Sequence, residues 1–360
     1  MTAHAPPDST PREDAPAPGS PAARRDTRSA GVAVPRHSRA PAADAVFVVR
    51  PLTFGRNAQT ASTNALQAPG DILTPGDRNR VDREFDRAVQ QLTRAGIEVI
   101  EFDPPREVAT PDAVFPNNWV STHADGTVVL YPMMAPNRRL ERQPALLESL
   151  SRDFHFHISR IVDLSWLEND HEYVEGTGSM VFDHAQRIAY AALSPRTTPR
   201  AVECAAQALG QEACVFSATH ASGAAVYHTN VMLSVGSSIA VGCFEMIRAA
   251  HERNHVLRRL ESGGRPIVTL SEAQAGHFAA NALELKSPSG PLLALSMRAW
   301  NALEPDQRRT IERHVLVLPV DVSTIEHVGG GGIRCMLAEI FLPREPARAA
   351  WQPAGLTRPG

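Results

Sequence analysis

At 360 residues the chain can hold one large domain or two ordinary ones, and 43% hydrophobic against 21% charged residues gives it material for a buried core. A formal net charge of −3 argues against the basic surface that nucleic acid or an anionic membrane would require. No apolar run reaches the roughly 18 residues of a membrane-crossing helix, and Cys204, Cys214, Cys243 and Cys335 form no C-x-x-C pair and are too sparse for a disulfide scaffold. A cytoplasmic protein, with no membrane or nucleic-acid partner, is the expectation.

Residues 1–44 hold eight of the 29 prolines, many alanines and no aromatic residue. Such a segment buries too little apolar area to offset the entropy of ordering, so a disordered tail is expected. It lacks the apolar stretch of a secretory signal and is too acidic for a transit peptide. The fold is expected over 45–345, with a second tail at 346–360. It begins at Ala45–Arg50, an apolar run that reads as a buried strand. Asp77–Gly96 reads as an amphipathic helix with Val81, Phe85, Val89 and Leu92 on one face and Gly96 ending it. Ile97–Ile100 is the next strand.

A pattern then recurs. Hairpins are expected at Asn118–Tyr131, Ser179–Tyr190, Val231–Val241 and Leu283–Leu295, each with a polar or glycine turn, and a last copy at Ile333–Leu342. Helical stretches follow the first four at about 139–151, 197–209, 245–261 and 298–314, each leading to another apolar strand. Positions 118, 178, 230, 281 and 332, at the hairpin starts, are spaced by 60, 52, 51 and 51 residues. A ββαβ unit used five times predicts an α/β ring with pseudo-fivefold symmetry, its hairpin starts converging on one face.

The residues beside those starts are then the candidates for chemistry. They are Phe115-Pro116-Asn117-Asn118, Glu175-Gly176-Thr177-Gly178, Tyr227-His228-Thr229-Asn230, Asn281, and Gly329–Gly332 followed by Ile333-Arg334-Cys335. A carboxylate, a histidine and a cysteine lie within three residues of the starts of three repeats. A thiol with a pKa near 8.5 needs a cation or hydrogen bond to react near neutrality. Histidine can move its proton, and a carboxylate can hold the other ring nitrogen. A catalytic Cys335 is expected to react well below pH 8 and to be protected by substrate. The glycine run lacks the Gly-Lys-Ser/Thr of a phosphate loop, and a strand rather than a helix is expected after it, so it is no dinucleotide fingerprint. Its use is either close backbone approach with room for a substrate beside Cys335, or a plain flexible turn. His155 and His157 near Asp170-His171-Glu172 lack metal-ligand spacing, so neither metal nor cofactor is expected. Arg138-Arg139 and Arg258-Arg259 read as solvated helix faces.

Phe-Pro-Asn-Asn-Trp, then Glu-Gly-Thr-Gly, then His-Thr-Asn, then Gly-Gly-Gly-x-x-Cys resembles the guanidino-modifying enzyme superfamily over roughly 45–345. It is similar above all to the amidinotransferase-like citrulline-utilisation hydrolases. The resemblance implies a five-bladed pentein α/β propeller. It also implies Cys335 as nucleophile, His228 as general acid/base and Glu175 as the carboxylate steering the histidine. Arginine-acting relatives carry acids where this chain has Asn118 and Asn230, and often Glu-Gly-Gly-Asp in place of Glu175–Gly178. A buried guanidinium needs negative partners, whereas an uncharged ureido group is matched by amides.

Asn118, Asn230 and Phe115 are therefore expected to contact a ureido amino acid such as citrulline, giving ornithine, carbon dioxide and ammonia. Arg334 or Arg56 is expected to pair with its carboxylate. The alternatives are a guanidino-substrate deiminase, dimethylarginine hydrolase or amidinotransferase, a metallohydrolase, and a non-catalytic pentein-fold binding protein. The sequence leaves homo-oligomerisation open.

Overall fold

The computed structural model describes residues 42–67, 73–344 and the two-residue strand Leu356–Thr357. The expected tails fall outside these residues except at 42–44, where Ala42 and Ala43 are buried, and at Leu356–Thr357.

The first strand, β1 (Ala45–Val49), is buried at every position. Its Val/Phe run suits a strand covered on both faces. Thr74 and Asp77 form a capping box that starts the helix Pro75–Arg94, whose Val81, Phe85, Ala88 and Leu92 are buried. Gly96, at φ 85°, turns the chain into β2 (Glu98–Phe102), which runs parallel to β1.

Four units follow the expected order. In the first, β3 (Val120–Thr122) pairs antiparallel with β4 (Thr127–Leu130), and β5 (Arg160–Asp163) returns parallel to β4. Gly126, at φ 82°, makes the hairpin turn, where the Asp125 carboxylate accepts the Thr127 N–H. The same arrangement recurs in β6 (Met180–Asp183), β7 (Ile188–Leu193) and β8 (Glu212–Ser217). It recurs again in β9 (Leu233–Val235), β10 (Ala240–Gly242) and β11 (Ile267–Thr269). The fourth unit is β12 (Leu283–Ser287), β13 (Gly290–Ser296) and β14 (Leu316–Val320). Helices Pro144–Arg152, Pro199–Leu209 and Ala250–Ser262 connect the second and third strands of the first three units. In the fourth, the expected helix 298–314 is divided into Met297–Ala302 and Pro305–Glu312, because Pro305 holds the preceding Glu304 extended.

The fifth unit corrects the sequence reading. Ile333–Leu342 is not a hairpin. It is one helical turn, Ile333–Met336, followed by β15 (Ala338–Ile340). The hairpin partner of β15 is β1, with Ala45 opposite Ile340 and Phe47 opposite Ala338. The fifth sheet, β15-β1-β2, thus joins the two ends of the ring, and the described residues form five small sheets. Leu356–Thr357 adds a strand beside β5. No described helix is long and apolar enough to cross a membrane.

Candidate active site

The four hairpin starts and the end of the glycine run meet. Asn118 ends the 3₁₀ turn Pro116–Asn118 before β3, and Gly178 lies in the helical turn Gly176–Ser179 before β6. Asn230 lies in the 3₁₀ turn Thr229–Val231 before β9. A Cβ added at Gly178 would lie 2.4 Å from Asn118 Nδ2 and 2.8 Å from His228 Nδ1. Asn230 Nδ2 donates to the carbonyl of Thr177 at 3.1 Å, and Asn281 Nδ2 donates to the carbonyl of Asn230 at 3.1 Å. A Cβ at Gly332 would lie 2.8 Å from Asn281 Oδ1, and one at Gly331 3.0 Å from the Phe115 ring and 3.2 Å from Cys335 Cβ. Phe115 precedes the first start, so the contacts close a ring.

Cys335 sits in the helical turn that follows the glycine run, a turn that the sequence reading missed. Its side chain is buried, with Asn281 Nδ2 3.4 Å and Asn230 Nδ2 3.6 Å from Sγ. Burial pushes the thiol pKa up, although the two amides and the Arg334 charge pull the other way. The expectation of a thiolate well below pH 8 in the free protein therefore runs against the local electrostatics.

His228 Nε2 lies 2.8 Å from Glu175 Oε2, and both residues are buried. Glu175 Oε1 accepts the Met134 N–H at 3.1 Å. Against its own burial, Glu175 is held ionised by Arg196, His228 and Arg138, with its pKa lowered to about 2. Burial lowers the His228 pKa to about 4 despite the Glu175 carboxylate. The ring is therefore neutral near pH 7, with its Nε2 proton on Glu175 and the Nδ1 lone pair facing the space above Gly178. Histidine and thiol reach this space from different units, with no hydrogen bond between them among the described contacts.

Arg138 corrects a second expectation. The chain forms the short helix Pro136–Arg139 and begins a new one at Pro144, which turns Arg138 inward instead of onto a solvated face. Its side chain is 2% exposed. It grips Glu141 with two hydrogen bonds of 3.0 and 2.9 Å and donates Nη1 to Asn118 Oδ1 at 2.8 Å. Nη1 also lies 3.8 Å from Glu175 Oε2. Arg196 approaches the same oxygen at 3.6 Å and anchors Thr60 and Thr63 of the segment after β1.

Of the expected site residues, the structure gathers Cys335, His228, Glu175, Asn118, Asn230 and Phe115. Phe115 packs against Gly329 and Gly331, so the close approach that the glycines permit is that of an aromatic ring. Arg334 and Arg56 are not brought into this group. Arg334 donates to the Leu337 carbonyl and the Glu339 carboxylate and lines a cavity with Ser234 and Glu284, so its charge reaches the thiol but its hydrogen bonds are made elsewhere. Arg56 is exposed. The cations beside Glu175 are Arg138 and Arg196, which sequence reasoning missed.

The sequence over residues 50–342 matches a family model described as N,N dimethylarginine dimethylhydrolase, eukaryotic. No curated protein matches the chain. ArgZ without ligand, an arginine dihydrolase from the ornithine-ammonia cycle in Cyanobacteria, superposes with a TM-score of 0.65 at 16% identity. That match covers 84% of this chain and 41% of ArgZ, so the chain spans about two fifths of that relative. The N-terminal domain of ArgZ bound to substrate gives a TM-score of 0.63 at 17% identity, covering 83% of this chain and 99% of the domain. DDAH from Pseudomonas aeruginosa, complexed with citrulline, gives 0.57 at 15% identity, covering 83% of this chain and 100% of that one. At such identities these superpositions show the fold, which is the pentein fold. The family match does the rest: the chain belongs to the N,N dimethylarginine dimethylhydrolase family of the pentein guanidino-modifying superfamily.

Proposed function

We propose that this chain hydrolyses the ureido group of citrulline or a closely related amino acid, with Cys335 as nucleophile, His228 as acid and base, and Glu175 orienting His228. One observation carries the choice of a ureido substrate. Arg138 has only donors to offer, so its hydrogen bond fixes the Asn118 oxygen on the Arg138 side. The Asn118 Nδ2 then faces the space beside His228, where it is buried and has no hydrogen-bonding partner among the described residues. A donor at that place is matched by a ureido carbonyl oxygen. A guanidinium, which has only N–H groups, would meet it donor to donor. The groups hydrogen-bonded to Sγ are likewise carboxamides, and Glu175 is already opposed by His228, Arg138 and Arg196.

Both thiol and imidazole start neutral. Substrate entering between them lets Sγ attack the ureido carbon as its proton passes to His228 Nδ1. His228 returns that proton to the departing amine, which leaves a thiocarbamate on Cys335. Neutral His228 then takes a proton from water as the water attacks and returns it to Sγ as the carbon–sulfur bond breaks, and the carbamic acid released breaks down to carbon dioxide and an amine. One citrulline and one water give ornithine, ammonia and carbon dioxide.

The test is a comparison of kcat/KM for L-citrulline, L-arginine and N,N-dimethylarginine, following ammonia, ornithine and dimethylamine. Citrulline is expected to be preferred. Faster turnover of either guanidino compound would reject the ureido reading. It would support the second one, dimethylarginine or arginine hydrolysis, which the family match favours.

A further inference from the structure

Behind the thiol lies a carboxyl group that the proposed reaction does not use. Glu326, in the helix Ser323–Gly329, has 0% exposure, and neither oxygen makes a hydrogen bond of normal geometry. The Ser296 hydroxyl is the polar group that approaches it, and the charges it feels are those of the exposed Arg298 and of two acids, Glu84 and Asp321. Burial without a close counter-ion pushes its pKa up to about 7.

Its position is specific. A Cβ on Gly332 would lie 3.0 Å from Glu326 Oε1 and 2.8 Å from Asn281 Oδ1, so the two oxygens converge on the same bare α-carbon. The same Asn281 amide lies side-on to the thiol, its nitrogen 3.4 Å and its Oδ1 3.7 Å from Cys335 Sγ, and the nitrogen also donates to the Asn230 carbonyl at 3.1 Å. A carboxylate facing an amide oxygen would repel it and favour a flipped amide. A protonated carboxyl would donate to it.

We infer that Glu326, as a neutral acid, is a positioning residue: it donates to Asn281 Oδ1, directly or through one water beside Gly332, and so keeps the Asn281 N–H on Cys335 Sγ. The inference rests on Cys335 being the reacting thiol.

The experiment compares Glu326→Gln and Glu326→Leu with the native protein. It measures alkylation of Cys335 by iodoacetamide against pH without substrate, mapped to the Cys335 peptide by mass spectrometry, and kcat and KM for citrulline. The carboxamide introduced by E326Q can still donate to Asn281, so this variant should match native alkylation and kcat below pH 6 and hold them above pH 7, where native Glu326 gives up its proton. E326L should shift the alkylation midpoint upward and lower kcat by about tenfold with KM unchanged, less than the roughly hundredfold cost of removing a preorganised donor outright. An E326L protein with native midpoint and kcat overturns the inference. So does a folded E326Q protein that loses as much as E326L. Should E326L fail to fold, E326Q alone decides: native alkylation and kcat below pH 6 support the inference, and a tenfold loss of kcat there overturns it. If citrulline does not protect native Cys335 from alkylation, the ureido-substrate reading fails instead, while the comparison of alkylation midpoints still judges Glu326.

Discussion

Arg138 Nη1 holds Asn118 Oδ1 at 2.8 Å, and this one hydrogen bond decides which end of the Asn118 amide the reacting space meets. The isosteric change Asn118→Asp keeps the grip on Arg138 but replaces the inward donor with an acceptor. We expect N118D to lose about 10- to 100-fold in kcat/KM for citrulline, the scale of a mismatched polar contact in a buried site. Its loss toward arginine should be smaller. Steady-state kinetics on both substrates checks this.

Cys335→Ser should leave the melting temperature close to native, since a hydroxyl can take up the contacts with Asn230 and Asn281. Turnover should fall below detection, and intact-mass spectrometry after a citrulline quench should show an adduct on the native protein alone. Undiminished ornithine release from C335S would remove the covalent mechanism.

Gly178→Ala puts a methyl group 2.4 Å from Asn118 Nδ2 and 2.8 Å from His228 Nδ1. Overpacking of this kind costs about 1–3 kcal/mol. Here it also fills the space assigned to substrate. We expect G178A to fold, to melt a few degrees lower at most, and to show a much reduced kcat/KM. A native kcat/KM would place the substrate elsewhere.

The site also sets a pH dependence for folding. His228 has a folded pKa of about 4 against an ordinary 6.5, so its contribution is present above 6.5 and is lost as pH falls through 4. Glu175, at about 2 against 4.5, contributes above 4.5 and loses that contribution toward pH 2. Glu326 has the opposite sign: raised from 4.5 to about 7, its contribution is present below 4.5 and is lost as pH rises through 7. Glu326→Gln removes that titration, so the melting temperature of E326Q relative to native should rise between pH 4.5 and pH 8. A difference that stays constant across this range would contradict the buried, proton-carrying state.

The repeat and the convergence of its hairpin starts were legible in the sequence, because each ββαβ unit carries its own alternation, turn and helix. The partner of β15 was not, because β1 lies at the opposite end of the chain and no local pattern links the two. Glu175, His228, Asn230, Asn281 and Cys335 were named as candidates because they lie beside the hairpin starts, and the structure brings them together; Asn118 and Asn230 were singled out as substrate contacts by the resemblance, whose arginine-acting members carry acids there. Arg138 was misread because an arginine beside a second arginine resembles a wetted surface. The signal available was Glu141 three residues on, which supplies its buried partner.

Joining β15 to β1 has a consequence for when the protein can act. Cys335 lies three residues before β15 and is seated among amides from the third and fourth units only when the last strand has found the first. Such a long-range pairing forms late and slowly compared with local hairpins. On the proposed mechanism, a proteolytic cut that loosened β15 would unseat the Cys335 thiol while leaving Glu175 and His228 paired.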